Sequence, residues 1–271
     1  MPAGLQVVNF FAQGIAGTPN EPLAPGTGDS ATFFNVPQGT FAYLGEVWCV
    51  DDASPTLLSL VATRFHDQVA AISYQVVDGS TLAPVNRSTR LSSPGIDQPI
   101  FPSDVLQVLV DGTAGDNVNA TLMLYYANIP GISARLHTFE AVMAAAGNQV
   151  GIKCSTTPGA GDWGATAALN ASDDRLHANT DYALLGFTST TPLAAVSIQG
   201  IDTGNLKVGG PVIADGDHDS SLFVDFARAY GQPLIPVINS NNAGSTNVQS
   251  ADPTAGATDI TVVMVELPRG I

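Results

Sequence analysis

The residues whose spacing comes closest to a site are Asp215, Asp217 and Asp219, alternating along Asp215-Gly216-Asp217-His218-Asp219. Carboxylates at every second position of a loop can wrap a hard cation through oxygen ligands. Against the calcium-loop pattern, the sixth position is Ser220 where glycine makes the turn, and the twelfth is Phe226 where a bidentate Glu should sit. The expectation is a solvated acidic loop with no metal and no cofactor, calcium being the alternative.

Other chemistry finds less support. His66, His137, His177 and His218 have no zinc-type spacing, and neither HExxH nor CxxC occurs. No Gly-x-Ser-x-Gly elbow presents a serine nucleophile. Glu46, Glu140 and Glu266 could supply a glycosidase carboxylate pair, but Glu266 ends a closing strand and Glu140 falls on a helical segment. Gly209-Gly210 lacks the rest of a phosphate-binding loop. Trp48, inside an apolar strand, reads as core. Trp163, in Pro158-Gly159-Ala160-Gly161-Asp162-Trp163-Gly164, reads as exposed, either a sugar-stacking face or an anchor between subunits. No catalytic residue is expected, and the chain reads as a non-enzyme.

The elements that would carry these residues repeat. Phe41-Ala42-Tyr43-Leu44-Gly45 opens a strand that Tyr182-Ala183-Leu184-Leu185-Gly186 opens again. Thr121 to Pro130 matches Asp259 to Pro268 at an offset of about 138 residues, which is a duplicated β-domain. The reading is all-β: two tandem antiparallel β-sandwich, jelly-roll-like domains with an extended N-terminal arm. The arm is 1–38, interrupted by Pro19, Pro22 and Pro25, the first sandwich 39–131 and the second 148–271. Between them, 132–147 carries Ile132, Leu136, Phe139, Val142 and Met143 at helical spacing. Ser221–Tyr230 fits a short helix or a strand. Asp78–Ser103 and Ser240–Thr258 read as long polar loops. In the closing strand, Leu122, Leu124 and Tyr126 face one way and Met123 and Tyr125 the other. A strand apolar on both faces lies between two packed layers.

Composition restricts the partners. Charged residues are 12% of the chain and the formal net charge is −15, with Lys153 and Lys207 the lysines. Direct contact with nucleic acid would need clustered cations, and an anionic membrane would need a basic patch. No run approaches the roughly 18 apolar residues that span a bilayer, and no basic-then-apolar leader opens the chain. Cys49 and Cys154 lie in opposite halves. They read as reduced thiols in strands, with a cross-domain disulfide left open. Asn86, Asn119 and Asn170 head glycosylation sequons that matter only in a secreted protein.

Tandem sandwiches, an extended arm and a low-charge surface together resemble viral and phage capsid proteins of the double jelly-roll type, a resemblance of plan that covers the whole chain. It implies a structural virion protein, a self-assembling major capsid or cement/decoration subunit. Its partners would be itself, as a trimer or larger lattice, and other virion proteins. It would be made in the host cytoplasm and end in the virion. The alternative is a carbohydrate-binding or adhesion module of a phage tail or cell surface.

Overall fold

Period-two alternation becomes strands along most of the chain in the computed structural model. It describes residues 4–25, 34–36, 41–51, 56–62, 72–78, 98–169, 175–191, 193–212, 220–252 and 256–268. Asp215, Asp217, Asp219, His66, His218, Asn86 and Asn170 lie outside the described residues, as do most of the loops after Asp78 and before Gln98.

In the first half the strands are β1 (Gly4–Ala12), β2 (Glu21–Pro22), β3 (Ala24–Pro25), β4 (Phe34–Asn35), β5 (Phe41–Asp51), β6 (Thr56–Ala62), β7 (Ile72–Asp78), β8 (Gln98–Ile100), β9 (Val105–Asp111) and β10 (Val118–Asn128). One layer runs β1-β10-β5-β8 and the other β4-β9-β6-β7. A short parallel contact, Val50 to Val77 and Asp51 to Asp78, joins them at one corner. Numbering those eight strands in chain order gives 1-8-3-6 and 2-7-4-5, the order of a jelly roll.

The second half contains β11 (Leu136–His137), α1 (Phe139–Ala145), β12 (Gln149–Thr156), β13 (Gly159–Ala160), β14 (Ala167–Ala168), β15 (Asp181–Ser189), β16 (Leu193–Gln199), β17 (Val208–Val212), α2 (Leu222–Tyr230), β18 (Ile235–Asn239), β19 (Asn247–Asp252) and β20 (Thr258–Leu267). Its layers are β12-β20-β15-β18 and β14-β19-β16-β17, the same order strand for strand. The repeat extends to an irregularity. Opposite Met123 and Leu124 the β5 strand carries the extra residue Gly45, and opposite Val263 and Met264 the β15 strand carries the extra residue Leu185. Both bulges fall in the matched Leu-Gly step, so the sequence similarity there marks a shared kink in the sheet.

Three expectations need correction. The segment read as an arm is, over Gly4–Ala12, a strand of the first roll paired along its whole length with β10, from Gly4 opposite Tyr126 to Ala12 opposite Val118. Its Val8 and Phe10 are fully buried in the first core. The linking helix starts only at Phe139, because Thr138 caps it by accepting from the Ala141 N–H at 3.2 Å. Just before it, Leu136 and His137 pair with β18. The polar loop after Ser240 contains β19, an inner strand of the second layer. The ambiguous Leu222–Tyr230 is helical: Leu222, Phe223, Phe226, Ala227 and Tyr230 are buried as one stripe, and Gly231 stops the helix at φ 61°.

Two cores result. One lies between the layers of the first roll and takes Leu122, Leu124 and Tyr126 from β10. The other fills the second roll, yet it includes Leu5, Met123 and Tyr125 from the opposite face of β1 and β10. The closing strand of the first roll is therefore buried on both faces, the second face against the sister roll.

Candidate functional site

The seam between the rolls is the most elaborated part of the described structure. It forms where the outer face of β1, β10 and β5 meets β16 and β17. One end is apolar and aromatic. Tyr125 stacks on Tyr43 at 5.2 Å between ring centroids and meets Tyr230 of α2, tilted, at 5.8 Å. Such pairs are worth about 0.5–1.5 kcal/mol each beyond their area burial.

The other end is polar. Asn9 and Asn119, both buried, donate to the Gly161 carbonyl at 2.8 Å, and Asn119 also donates to Asn9 Oδ1 at 2.9 Å. The Thr121 hydroxyl donates to the Ala194 carbonyl at 3.2 Å, and Val7 N–H donates to the Lys207 carbonyl at 2.7 Å. Thus carbonyls of the second roll that face the seam are satisfied by donors of the first. Gly161 sits at φ +81°, and a Cβ there would lie 2.5 Å from Phe11 Cδ2. Glycine is what allows the loop to approach β1.

Trp163 follows in the same loop. It is half-buried, and the Lys207 ammonium lies 4.6 Å from its ring centroid. Burial lowers the Lys207 pKa, and the nearby Asp162 carboxylate opposes that shift. The exposed aromatic expected here is corrected: one face of the indole is taken by a cation of the same chain.

A second constellation holds the linking segment to the second roll. Arg135 grips Asp181 with two parallel bonds, 2.8 and 2.6 Å, and lies 3.8 Å from Asp202. Asn239 donates its side chain to Asp181 and its backbone N–H to Asp202, and Asn242 also donates to Asp202. The Arg135 bond, with help from Asn239 and against some burial, holds the Asp181 carboxyl below its ordinary pKa. Burial, then Arg135, lowers the pKa of His137. One guanidinium between two carboxylates, all hydrogen-bonded, is a clamp.

The remaining sequence candidates are dispersed. His177 Nδ1 lies 2.8 Å from Glu266 Oε1, with the His177 N–H donating to the Tyr182 hydroxyl. Glu140 is exposed in the first turn of α1, whereas Glu266 is buried on β20. Glu46, Trp48 and Cys49 are on β5. Gly209 needs its missing side chain because a Cβ would fall 1.8 Å from the Val196 carbonyl oxygen, a sheet-packing reason unrelated to phosphate. Cys154 is a buried free thiol whose pKa burial raises to about 11. Asn119 of the middle sequon is 1% exposed, and both of its amide hydrogens are donated within the seam. Among the described residues no three His, Cys, Asp or Glu side chains group to hold a metal, and no helix is long and apolar enough to cross a membrane.

No protein-family model matches the chain, and no curated protein matches it. Among solved structures, a crystal structure of peptide-N(4)-(N-acetyl-beta-D-glucosaminyl) asparagine amidase is similar over 98% of this chain and 97% of its own. Its identity is 11% and the TM-score 0.23. A likeness at that TM-score carries no argument about activity. The reading of the chain as a non-enzyme is nonetheless corrected, because a missing motif is no ground for excluding catalysis.

Sequence reasoning missed the seam's polar residues altogether. Asn9 within Val7-Val8-Asn9-Phe10-Phe11 is the signal that was there to use, since a polar side chain inside an apolar strand needs a dedicated partner.

Proposed function

We propose that the chain is a structural virion protein that assembles with copies of itself, as a major capsid subunit or as a cement/decoration protein over another lattice. The observation that supports this reading is the fusion of two jelly rolls through a buried seam, giving a two-roll block in a chain with only 12% charged residues. Such a block presents few charges to desolvate when copies meet. A stable contact would bury on the order of 800 Å² per partner, with apolar area contributing about 25 cal/mol per Å². The net charge of −15 favours a position away from packaged nucleic acid. The carbohydrate reading loses its main support, since Lys207 covers a face of the Trp163 platform.

The test is the mass distribution of the full-length protein by light scattering, with negative-stain imaging. Trimers or larger closed assemblies are expected, in proportions that rise with concentration. A monomer at every concentration would sink the proposal. Removing the first 38 residues is unsuitable as a control, because β1 belongs to the first core.

A further inference from the structure

We propose that the polar end of the seam binds ordered water, held by Asn119 Oδ1, Trp163 Nε1 and Ser197 Oγ. All three atoms are buried with no hydrogen-bond partner among the described residues. Each belongs to the seam. Asn119 is on the outer face of β10, and both of its amide hydrogens are already used, on Asn9 and on Gly161, which fixes its oxygen as an acceptor pointing elsewhere. Turning the amide over would set that oxygen against the Gly161 carbonyl. Trp163 is two residues beyond Gly161 and carries Lys207, whose carbonyl takes the Val7 N–H of β1. Ser197 lies on β16 between Val196 and Ile198, which point into the second core, so alternation turns Ser197 toward the first roll. The same loop is tied to this face of the sheet, because Gln249, opposite Ser197 on β19, donates to the Gly164 carbonyl at 2.8 Å.

The chemistry of the three atoms selects the ligand. An indole N–H only donates, an amide oxygen only accepts, and a hydroxyl does either. A cation would serve the oxygens and leave the indole unpaired, besides meeting the Lys207 charge already seated there. An anion would serve the indole and oppose Asn119. Water donates and accepts, and buried water in proteins makes about three hydrogen bonds to groups of this kind. The seam is then a three-part joint of aromatic contact, direct amide bonds and bound water. This inference does not depend on the assembly reading.

The experiment is water-oxygen magnetic relaxation dispersion on the full chain, which detects water that stays bound far longer than surface water, run beside Ser197→Ala and Trp163→Phe. The expected result is a long-lived component that falls in both variants, with the Ser197→Ala protein melting at a lower temperature than the parent. An unchanged component in both variants overturns the proposal. So does a rise in melting temperature in Ser197→Ala, since that is what removing a hydroxyl without any partner produces. If Ser197→Ala fails to fold, the Trp163→Phe comparison decides by the same readout.

Discussion

Asn119 donates to Asn9 Oδ1 at 2.9 Å, and the two amides converge on one carbonyl, that of Gly161 in the other roll. Asn119 supplies the donor that Asn9 Oδ1 accepts and both amides hold the same carbonyl, so the pair acts as a unit. Asn9→Ala or Asn119→Ala leaves buried partners unmatched and should cost about 1–3 kcal/mol. The double variant should cost less than the sum, with a coupling of about 0.5–3 kcal/mol. Urea unfolding of the four proteins measures this, and strict additivity would show that the amides act separately.

Gly161 combines a positive φ with contact against Phe11. Gly161→Ala should therefore destabilise by more than the roughly 1 kcal/mol that an unstrained glycine-to-alanine change moves in either direction. Trimming the obstacle with Phe11→Leu in the same chain should recover part of the loss, read as melting temperature.

Tyr125 belongs to the second core although it sits on a strand of the first roll. Removing a buried aromatic costs about 3–5 kcal/mol. Tyr125→Ala should also loosen the cooperation between rolls, so that a single calorimetric transition in the parent becomes two. A single, merely lowered transition would show that the seam's other contacts suffice to couple the rolls.

Acid should open the Arg135 clamp. The Asp181 pKa is depressed in the fold, so its contribution is complete above the unfolded value of about 3.9 and is lost as pH falls through the lower folded value. His137, also depressed, adds a loss that begins as pH falls below about 6.5, where the unfolded chain takes up the proton first. Asp181→Asn should lower the melting temperature at neutral pH and flatten its decline in acid. Melting curves recorded from neutral to acid pH check both signs.

Ile201 is 63% exposed at the start of a short 3-10 turn, and Met143 is 57% exposed on α1. If copies associate over either side chain, Ile201→Asp or Met143→Asp should shift light-scattering mass toward the monomer while leaving the melting temperature of the monomer nearly unchanged. Assembly unaffected by both would place the contacts elsewhere on the surface.

The duplication was legible because the strands that repeat, β5 with β15 and β10 with β20, are central ones, and in β10 and β20 burial on both faces fixes the apolar content. Strand β19 was not, since Asn247-Val248-Gln249-Ser250-Ala251-Asp252 offers little apolar alternation. Its outward side chains are covered by the loop around Gly164, which only the tertiary fold brings there. Residues at helical spacing around Leu136 misled for a related reason. Arg135 is tied by its backbone to Asp202 and Val237, and that overrides the local period. The seam itself was half legible: the two-faced apolar pattern of β10 foretold a second neighbour, whereas the amide cluster at its polar end depends on a loop 152 residues from Asn9 and 42 from Asn119 in sequence.

The pairing of β1 with β10 also governs when the molecule can take shape. The first roll is closed by its first and last strands, Gly4 meeting Tyr126, so during synthesis it stays open until both have left the ribosome. From then until the second roll is complete, Leu5, Met123 and Tyr125 have no covering layer. At typical elongation rates that interval is on the order of ten seconds or more, long enough for the nascent chain to be a client of chaperones and for neighbouring chains on one message to find each other's uncovered sheets.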